Sequence, residues 1–199
     1  MGDINQSIYL KARAPTMTGR VLEVGSKDYG STYSFRGDYP DTEYIGVDLA
    51  AGKGVDVVHD LAEGPGPLAG TTFNLIVCCS VMEHCPKPWK LADTMSGLLA
   101  PGGLIYISVP WVWRYHPYPD DFFRFSNRGV MSLFPDLSWS DAMYSTDVPG
   151  EIFPIFEDGA NGPDQRRRIK LPAFKGLFYK GARKYLPYLM VNMLGTKPA

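Results

Sequence analysis

The residues best suited to chemistry fall in two places: at the ends of short apolar runs, and in one aromatic loop. The first run ends in Glu23-Val-Gly25 and continues Ser26-Lys27-Asp28-Tyr29-Gly30. Glycines there let backbone N–H groups approach a ligand without a side chain in the way. Asp48 closes the second run, 23 residues after Gly25, with Leu49 beside it. An acid at that place can accept hydrogen bonds from both hydroxyls of a ribose. The third run ends His59-Asp60-Leu61, where a carboxylate can take an adenine amino group and a leucine can cover the ring. Together these positions point to an adenosine-containing ligand. Singly, Glu23 and Asp48 read equally well as strand-end or turn acids.

The aromatic loop, residues 110–126, reads PWVWRYHPYPDDFFRFS. His116 is its candidate general base, since imidazole changes protonation near neutral pH. Trp111 and Tyr115 can wall off water, and Asp120, Asp121 and Arg124 can orient an acceptor. The plainer alternative pairs Asp120 or Asp121 with Arg124, lets Ser126 cap the next helix and packs His116 in the loop. Two metal readings are open to the residues and neither is adopted. Glu83-His84-Cys85 lacks a second ligand pair at zinc spacing, and the adjacent Asp120 and Asp121 tend to point apart when read as partners of His116. No metal is assigned.

The elements that must position these groups are legible from patterning. Residues 20–25, 43–49, 55–61, 73–79 and 103–110 are short, rich in β-branched residues and in several cases apolar without alternation. Strands buried on both faces of a parallel sheet read this way. Between the fourth and fifth, residues 87–99 place Leu91, Ala92, Met95, Leu98 and Leu99 on one helical face, and Pro101-Gly102-Gly103 ends the pattern. A capped short helix is expected over 126–134. Strands near 138–146 and over 189–195 are expected to pair antiparallel at the sheet edge, with an insertion of about 149–187 between them. In a doubly wound sheet of this kind ligands sit at the carboxyl ends of the strands.

The segments VLEVGSKDYG, YIGVDL, VVHDL, FNLIVCCSVMEH and LLAPGGLIYISVP, in this order and spacing, resemble class I S-adenosylmethionine-dependent methyltransferases, in particular the type 11 methyltransferase domain. The match runs over about residues 18–135. The resemblance implies an α/β Rossmann-like fold, a mostly parallel seven-stranded sheet with helices on both faces and a reversed edge strand. It implies S-adenosyl-L-methionine as cofactor, with Glu23, Gly25, Ser26 and Gly30 at the methionine end and Asp48 and Leu49 at the ribose. Asp60 and Leu61 would take the adenine, and Cys79 and Ser80 would offer backbone contacts. The family's usual first loop would carry glycine where this chain has Lys27 and Tyr29. The aromatic loop is similar to a segment of methyltransferase-like proteins linked with bacterial glycan and cell-surface biosynthesis. The expected reaction is therefore methyl transfer to a small-molecule acceptor, an O-methylation of a sugar or glycan-related substrate. Two rivals stand beside it. A nicotinamide-dependent oxidoreductase is opposed by the absence of Gly-x-Gly-x-x-Gly after Val24, and a non-catalytic binding or scaffold protein is supported by the loss of two loop glycines.

Composition bounds the rest. With 199 residues, 45% hydrophobic and 21% charged, one globular domain is expected. The opening MGDINQSIYLK lacks the order of a signal peptide, and Cys78, Cys79 and Cys85 do not make a disulfide framework; both fit the cytoplasm. All 21 acids lie before residue 165, and 9 of the 20 Lys and Arg residues follow it. The acidic body argues against nucleic acid as a partner. The basic, aromatic stretch at about 166–186 is expected to meet an anionic membrane surface, a phosphorylated substrate or the acidic body of its own fold. Oligomeric state is not legible.

Overall fold

The computed structural model describes residues 3–30, 33–155 and 188–199. Its sheet has eight strands: β1 (Arg20–Val24), β2 (Glu43–Asp48), β3 (Val57–Val58), β4 (Phe73–Cys79), β5 (Leu99–Val112), β6 (Ser138–Ser145), β7 (Ile152–Pro154) and β8 (Leu189–Thr196). The spatial order is β3-β2-β1-β4-β5-β8-β6-β7. The β1 to β5 neighbours pair in parallel, while β8 runs antiparallel to both β5 and β6. The central strand β4 is apolar at nearly every position because both of its faces are covered.

Helix α1 (Ile4–Arg13) covers one face, and α2 (Pro88–Leu98) with α3 (Asn127–Leu133) covers the other. Leu91, Ala92, Met95 and Leu98 of α2 pack against Leu22, Val24, Ile76 and Ile107 of the sheet. On the opposite side Tyr9 and Leu10 of α1 join Val21, Leu75 and Val77 in a second core, where Tyr9 stacks on Tyr106 with ring centroids 5.1 Å apart. Ser126 caps α3, its hydroxyl accepting from the Gly129 N–H at 3.0 Å.

Four features differ from the sequence expectation. The sheet has eight strands, the extra one being β7, which falls at the start of the expected insertion. The reversed strand β8 is interior rather than at the edge. The third run is a strand only at Val57–Val58, because the Asp56 carboxylate turns back to accept the Gly46 N–H at 2.7 Å and pair with Arg36. Helix α1 was not foreseen; it opens with a reciprocal cap in which Asp3 Oδ1 accepts the Gln6 N–H and Gln6 Oε1 accepts the Asp3 N–H. The rest of the insertion, including the basic stretch, lies outside the described residues. Among the described residues no helix is long and apolar enough to cross a membrane.

Candidate active site

A cavity of about 470 Å³ opens at the carboxyl ends of β1, β2 and β4, within the usual size range of small-ligand sites. Its floor is Gly25, where the chain leaves β1. The residue has φ +72°, and a Cβ there would lie 2.4 Å from Val81 Cγ2. Only glycine combines that backbone with that approach. The turn is held from below: the Gly25 and Ser26 N–H groups both donate to the Val47 carbonyl, at 2.9 and 3.2 Å.

Asp48 forms the middle of the wall. Its Oδ2 accepts the Lys27 N–H at 3.1 Å and its Oδ1 accepts the Ala50 N–H at 3.2 Å. The carboxylate thus ties the first loop to the second while each oxygen keeps a further lone pair for a ligand. Lys27 does not occupy the space a glycine would leave open. Its stem packs over Gly52, and its Nζ lies 5.4 Å from the centre of the Tyr29 ring. A Lys53–Asp28 ion pair of 2.6 Å joins the same two loops, and Tyr29 lines the cavity. Two of the family's loop glycines are therefore replaced without blocking the pocket. Farther along, Asp60 caps the turn Leu61–Glu63 by accepting the Ala62 N–H at 2.8 Å, which presents Leu61 to the cavity.

The structure brings six of the ten expected cofactor residues to this cavity: Gly25, Asp48, Leu49, Asp60, Leu61 and Ser80. The other four lie off its wall. Glu23 projects to the opposite face of the sheet, where its carboxylate accepts the Tyr44 hydroxyl at 2.8 Å and where burial pushes its pKa up. Ser26 is buried against Gly46 and Gly54, Gly30 lies beyond Tyr29, and the Cys79 side chain belongs to the α1-side core. Ser80 carries φ +53°, unusual for a side-chain-bearing residue, at the mouth of β4, and its N–H is already given to the Ser108 carbonyl at 2.8 Å. That N–H is already committed within the sheet, so a backbone contact from Ser80 to a ligand would fall to its carbonyl.

The aromatic loop reaches the cavity by a different set of residues from those expected. Pro117, Tyr118 and Pro119 line it, whereas Trp111, Tyr115, His116, Asp120, Asp121 and Arg124 do not. Arg124 grips Asp121 through two nitrogens, at 2.5 and 2.8 Å, and donates to the Trp113 and Arg114 carbonyls. Asp121 Oδ2 also accepts the His116 N–H at 2.8 Å. This bidentate pair holds Asp121 well below the usual carboxylate range and serves the loop's own shape. Trp111 and Tyr115 are exposed outside the cavity, and Asp120 contributes its backbone carbonyl, 2.6 Å from His84 Nδ1.

His116 is buried with its ring 3.9 Å from that of Trp113 and turned toward Glu83. Burial works against a charged ring, but Glu83, the Arg114 carbonyl and Asp121 outweigh it and raise the pKa. Of the group Glu83, His84 and His116, only His84 lines the cavity. Its place directly after the fourth strand is visible in the sequence, but its pairing with His116, 32 residues on, is a tertiary event.

Residues 7–146 match the family described as a methyltransferase domain. The chain belongs to that family. A ubiquinone biosynthesis O-methyltransferase of Xylella fastidiosa (strain 9a5c) is 30% identical to this methyltransferase domain over 119 residues, 51% of this chain and 46% of the relative. The chain spans about half the length of the curated relatives it matches. Among solved structures, the YcgJ protein of Bacillus subtilis superposes with a TM-score of 0.60 at 16% identity over 98% of both chains. The N-methyltransferase NodS of Bradyrhizobium japonicum, solved with S-adenosyl-L-homocysteine, gives 0.58 at 12% identity over 98% of this chain and 85% of its own. These likenesses show the Rossmann-like fold.

Proposed function

We propose that this methyltransferase domain binds S-adenosyl-L-methionine in the cavity at Gly25, Asp48 and Leu61 and transfers its methyl group to a hydroxyl of a small-molecule acceptor. The observation that carries the reading is the Asp48 carboxylate, fixed by two backbone N–H groups at the end of β2 with lone pairs left over. The surrounding residues fit an adenosyl ligand. A left-handed glycine admits the ligand close to the β1 backbone, an acid meets the ribose, and Leu61 with Leu91 offers an apolar slot for the base. When bound, the cofactor supplies an electrophilic methyl carbon on a sulfonium.

Everything else falls to the chain's own side chains. Tyr118, Pro117 and Pro119 cover the cavity and exclude water from it. A hydroxyl acceptor would lose its proton beside the buried cluster of Glu83, His84 and His116, with His84 at the wall. His116 thus acts behind His84 rather than directly on an acceptor. The O-directed reading draws on the Xylella relative's name. Sugars and glycan-related acceptors are the first to screen, since Tyr118 lines the cavity and Trp111, Tyr115 and Phe122 of the same loop are exposed aromatic rings.

The test is transfer of isotope-labelled methyl from S-adenosylmethionine to a panel of sugars, phenols and amines. Label appearing on hydroxyl acceptors supports the reading; label confined to amines refutes its O-directed part.

A further inference from the structure

One feature next to the cavity is not explained by an adenosyl ligand. Glu83, in the single helical turn Met82–His84, is fully buried, and among the described residues neither of its carboxylate oxygens has a hydrogen-bond partner. His116 is 7% exposed, and its Nε2 likewise has no partner among the described residues. Glu83 Oε1 lies 3.8 Å from His84 Nε2 and 3.9 Å from His116 Nε2, too far for hydrogen bonds. A buried carboxylate left unpaired is among the most costly arrangements a fold can hold.

The other nitrogen of each ring fixes what the cluster presents. His84 Nδ1 lies 2.6 Å from the Asp120 carbonyl oxygen and His116 Nδ1 lies 2.9 Å from that of Arg114. A carbonyl oxygen only accepts, so each Nδ1 carries a hydrogen and donates it. In its neutral form, which metal ligation requires, each ring presents the bare lone pair of Nε2 toward Glu83. Asp121 Oδ2, 3.2 Å from His116 Nδ1, adds a carboxylate behind the ring. Imidazoles oriented in this way by a carbonyl or carboxylate at the far nitrogen are typical of metal-ligating histidines.

The donor atoms of Glu83, His84 and His116 all lie within 4.8 Å of one another. Two imidazole nitrogens and one carboxylate oxygen suit zinc with an open position, or another first-row divalent ion. Bonds of about 2.0–2.1 Å in tetrahedral geometry set donors roughly 3.3 Å apart. The 3.8 and 3.9 Å from Glu83 to the two rings need contract by about half an ångström, and the 4.8 Å span of the three donors by about 1.5 Å, a closure that brings the two imidazoles together about the ion.

We propose that Glu83, His84 and His116 form a binding site for a divalent transition-metal ion, its open coordination position facing the cavity beside His84. The ion neutralises the Glu83 charge, occupies the two bare lone pairs and ties the aromatic loop to the end of β4. Its chemical role rests on the methyl-transfer reading. An acceptor hydroxyl would bind the ion through oxygen and lose its proton to water; the oxygen's electron pair would then form the O–CH3 bond as the sulfonium S–CH3 bond breaks, its electrons leaving on sulfur as neutral S-adenosylhomocysteine. Ion binding itself does not depend on that reading.

The test uses the full chain, stripped with a chelator and titrated calorimetrically with Zn²⁺ and separately with Mn²⁺. Bound metal is counted by elemental analysis, and thermal unfolding is followed with and without the ion. The expected result is one ion per chain, a raised Tm, and at least about a hundredfold weaker binding in Glu83→Gln and His84→Asn. His59→Asn, at the chain's one histidine outside the cluster, should keep the ion. Should a variant fail to fold, Co²⁺ absorption of the wild-type protein supplies the second measurement, with d–d bands of a low-coordinate nitrogen and oxygen site expected. Wild-type protein that takes up neither ion, or binding unchanged in Glu83→Gln and His84→Asn, overturns the proposal. Titration of the same samples with S-adenosylhomocysteine separates the two readings: cofactor bound without metal removes the ion site alone.

Discussion

Replacing Gly25 by alanine should destabilise the protein by about 2–5 kcal/mol, and the structure divides that cost into two parts. The left-handed backbone at φ +72° costs a side-chain-bearing residue about 1–2 kcal/mol. The added methyl would lie 2.4 Å from Val81 Cγ2, and forcing atoms apart in a packed site costs about 1–3 kcal/mol more. The next nearest atom is Val81 Cβ at 3.6 Å, an ordinary contact, so Val81→Ala should remove the second part and leave the first. Urea denaturation of the wild type, the two single variants and the double variant forms a complete cycle. A favourable coupling of about 1–3 kcal/mol is expected. The same cycle read by S-adenosylhomocysteine titration should show partial recovery of affinity in the double variant. A Gly25→Ala stability within about 0.5 kcal/mol of wild type, or no coupling with Val81→Ala, would refute the reading of the pocket floor.

Two further outcomes concern charge. Asp121→Asn should destabilise the protein at pH 7 by about 2–4 kcal/mol, because Arg124 loses a bidentate partner whose side chain is almost wholly buried. The Asp121 pKa is depressed in the fold, so its contribution is complete above about pH 4, the unfolded carboxyl pKa, and is lost as pH falls toward the folded value. Denaturation at pH 7 and pH 3 should show the two proteins converging at the lower pH. Glu23 runs the other way: burial raises its pKa, so the folded state binds more protons than the unfolded one above about pH 4.5 and stability falls as pH rises through that window. Glu23→Gln should flatten that fall between pH 4 and 7, and a profile unchanged by the substitution would argue against it.

The features legible in the sequence are those set by local pattern. Short runs rich in β-branched and apolar residues marked β1, β2, β4 and β5, the spacing of Leu91, Ala92, Met95 and Leu98 marked α2, and Gly25 and Asp48 stood at the strand ends where a ligand belongs. Helix α1 was hidden because its buried side includes Asn5, Gln6 and Ser7, so no apolar stripe announces it. Those polar residues are satisfied by distant partners: Asn5 donates to the Thr146 and Val148 carbonyls, and Gln6 to Ser108 Oγ at 2.8 Å. The cap formed by Asp3 and Gln6 was the available signal.

The aromatic loop was legible as unusual but not in its roles. Asp121 and Arg124 face each other once the chain turns, and their pairing holds the loop. His116 was read as a base from its chemistry and its place in the loop after the fifth strand. Its actual neighbours, Glu83 and His84, come from the end of β4, and only the tertiary fold sets the two segments together. Each of the two metal alternatives weighed on the sequence took half of that cluster, Glu83 and His84 with Cys85 in one case and His116 with Asp120 and Asp121 in the other.

Calorimetric titration of the purified chain with S-adenosylhomocysteine, S-adenosylmethionine and NAD, repeated on Asp48→Ala, tests the adenosyl site most directly. The account predicts micromolar binding of both adenosyl ligands, none of NAD, and a loss of at least tenfold in Asp48→Ala, since hydrogen bonds to a charged group are worth about 1.5–3 kcal/mol each. Absence of binding by the adenosyl ligands, or an affinity indifferent to Asp48, would contradict it.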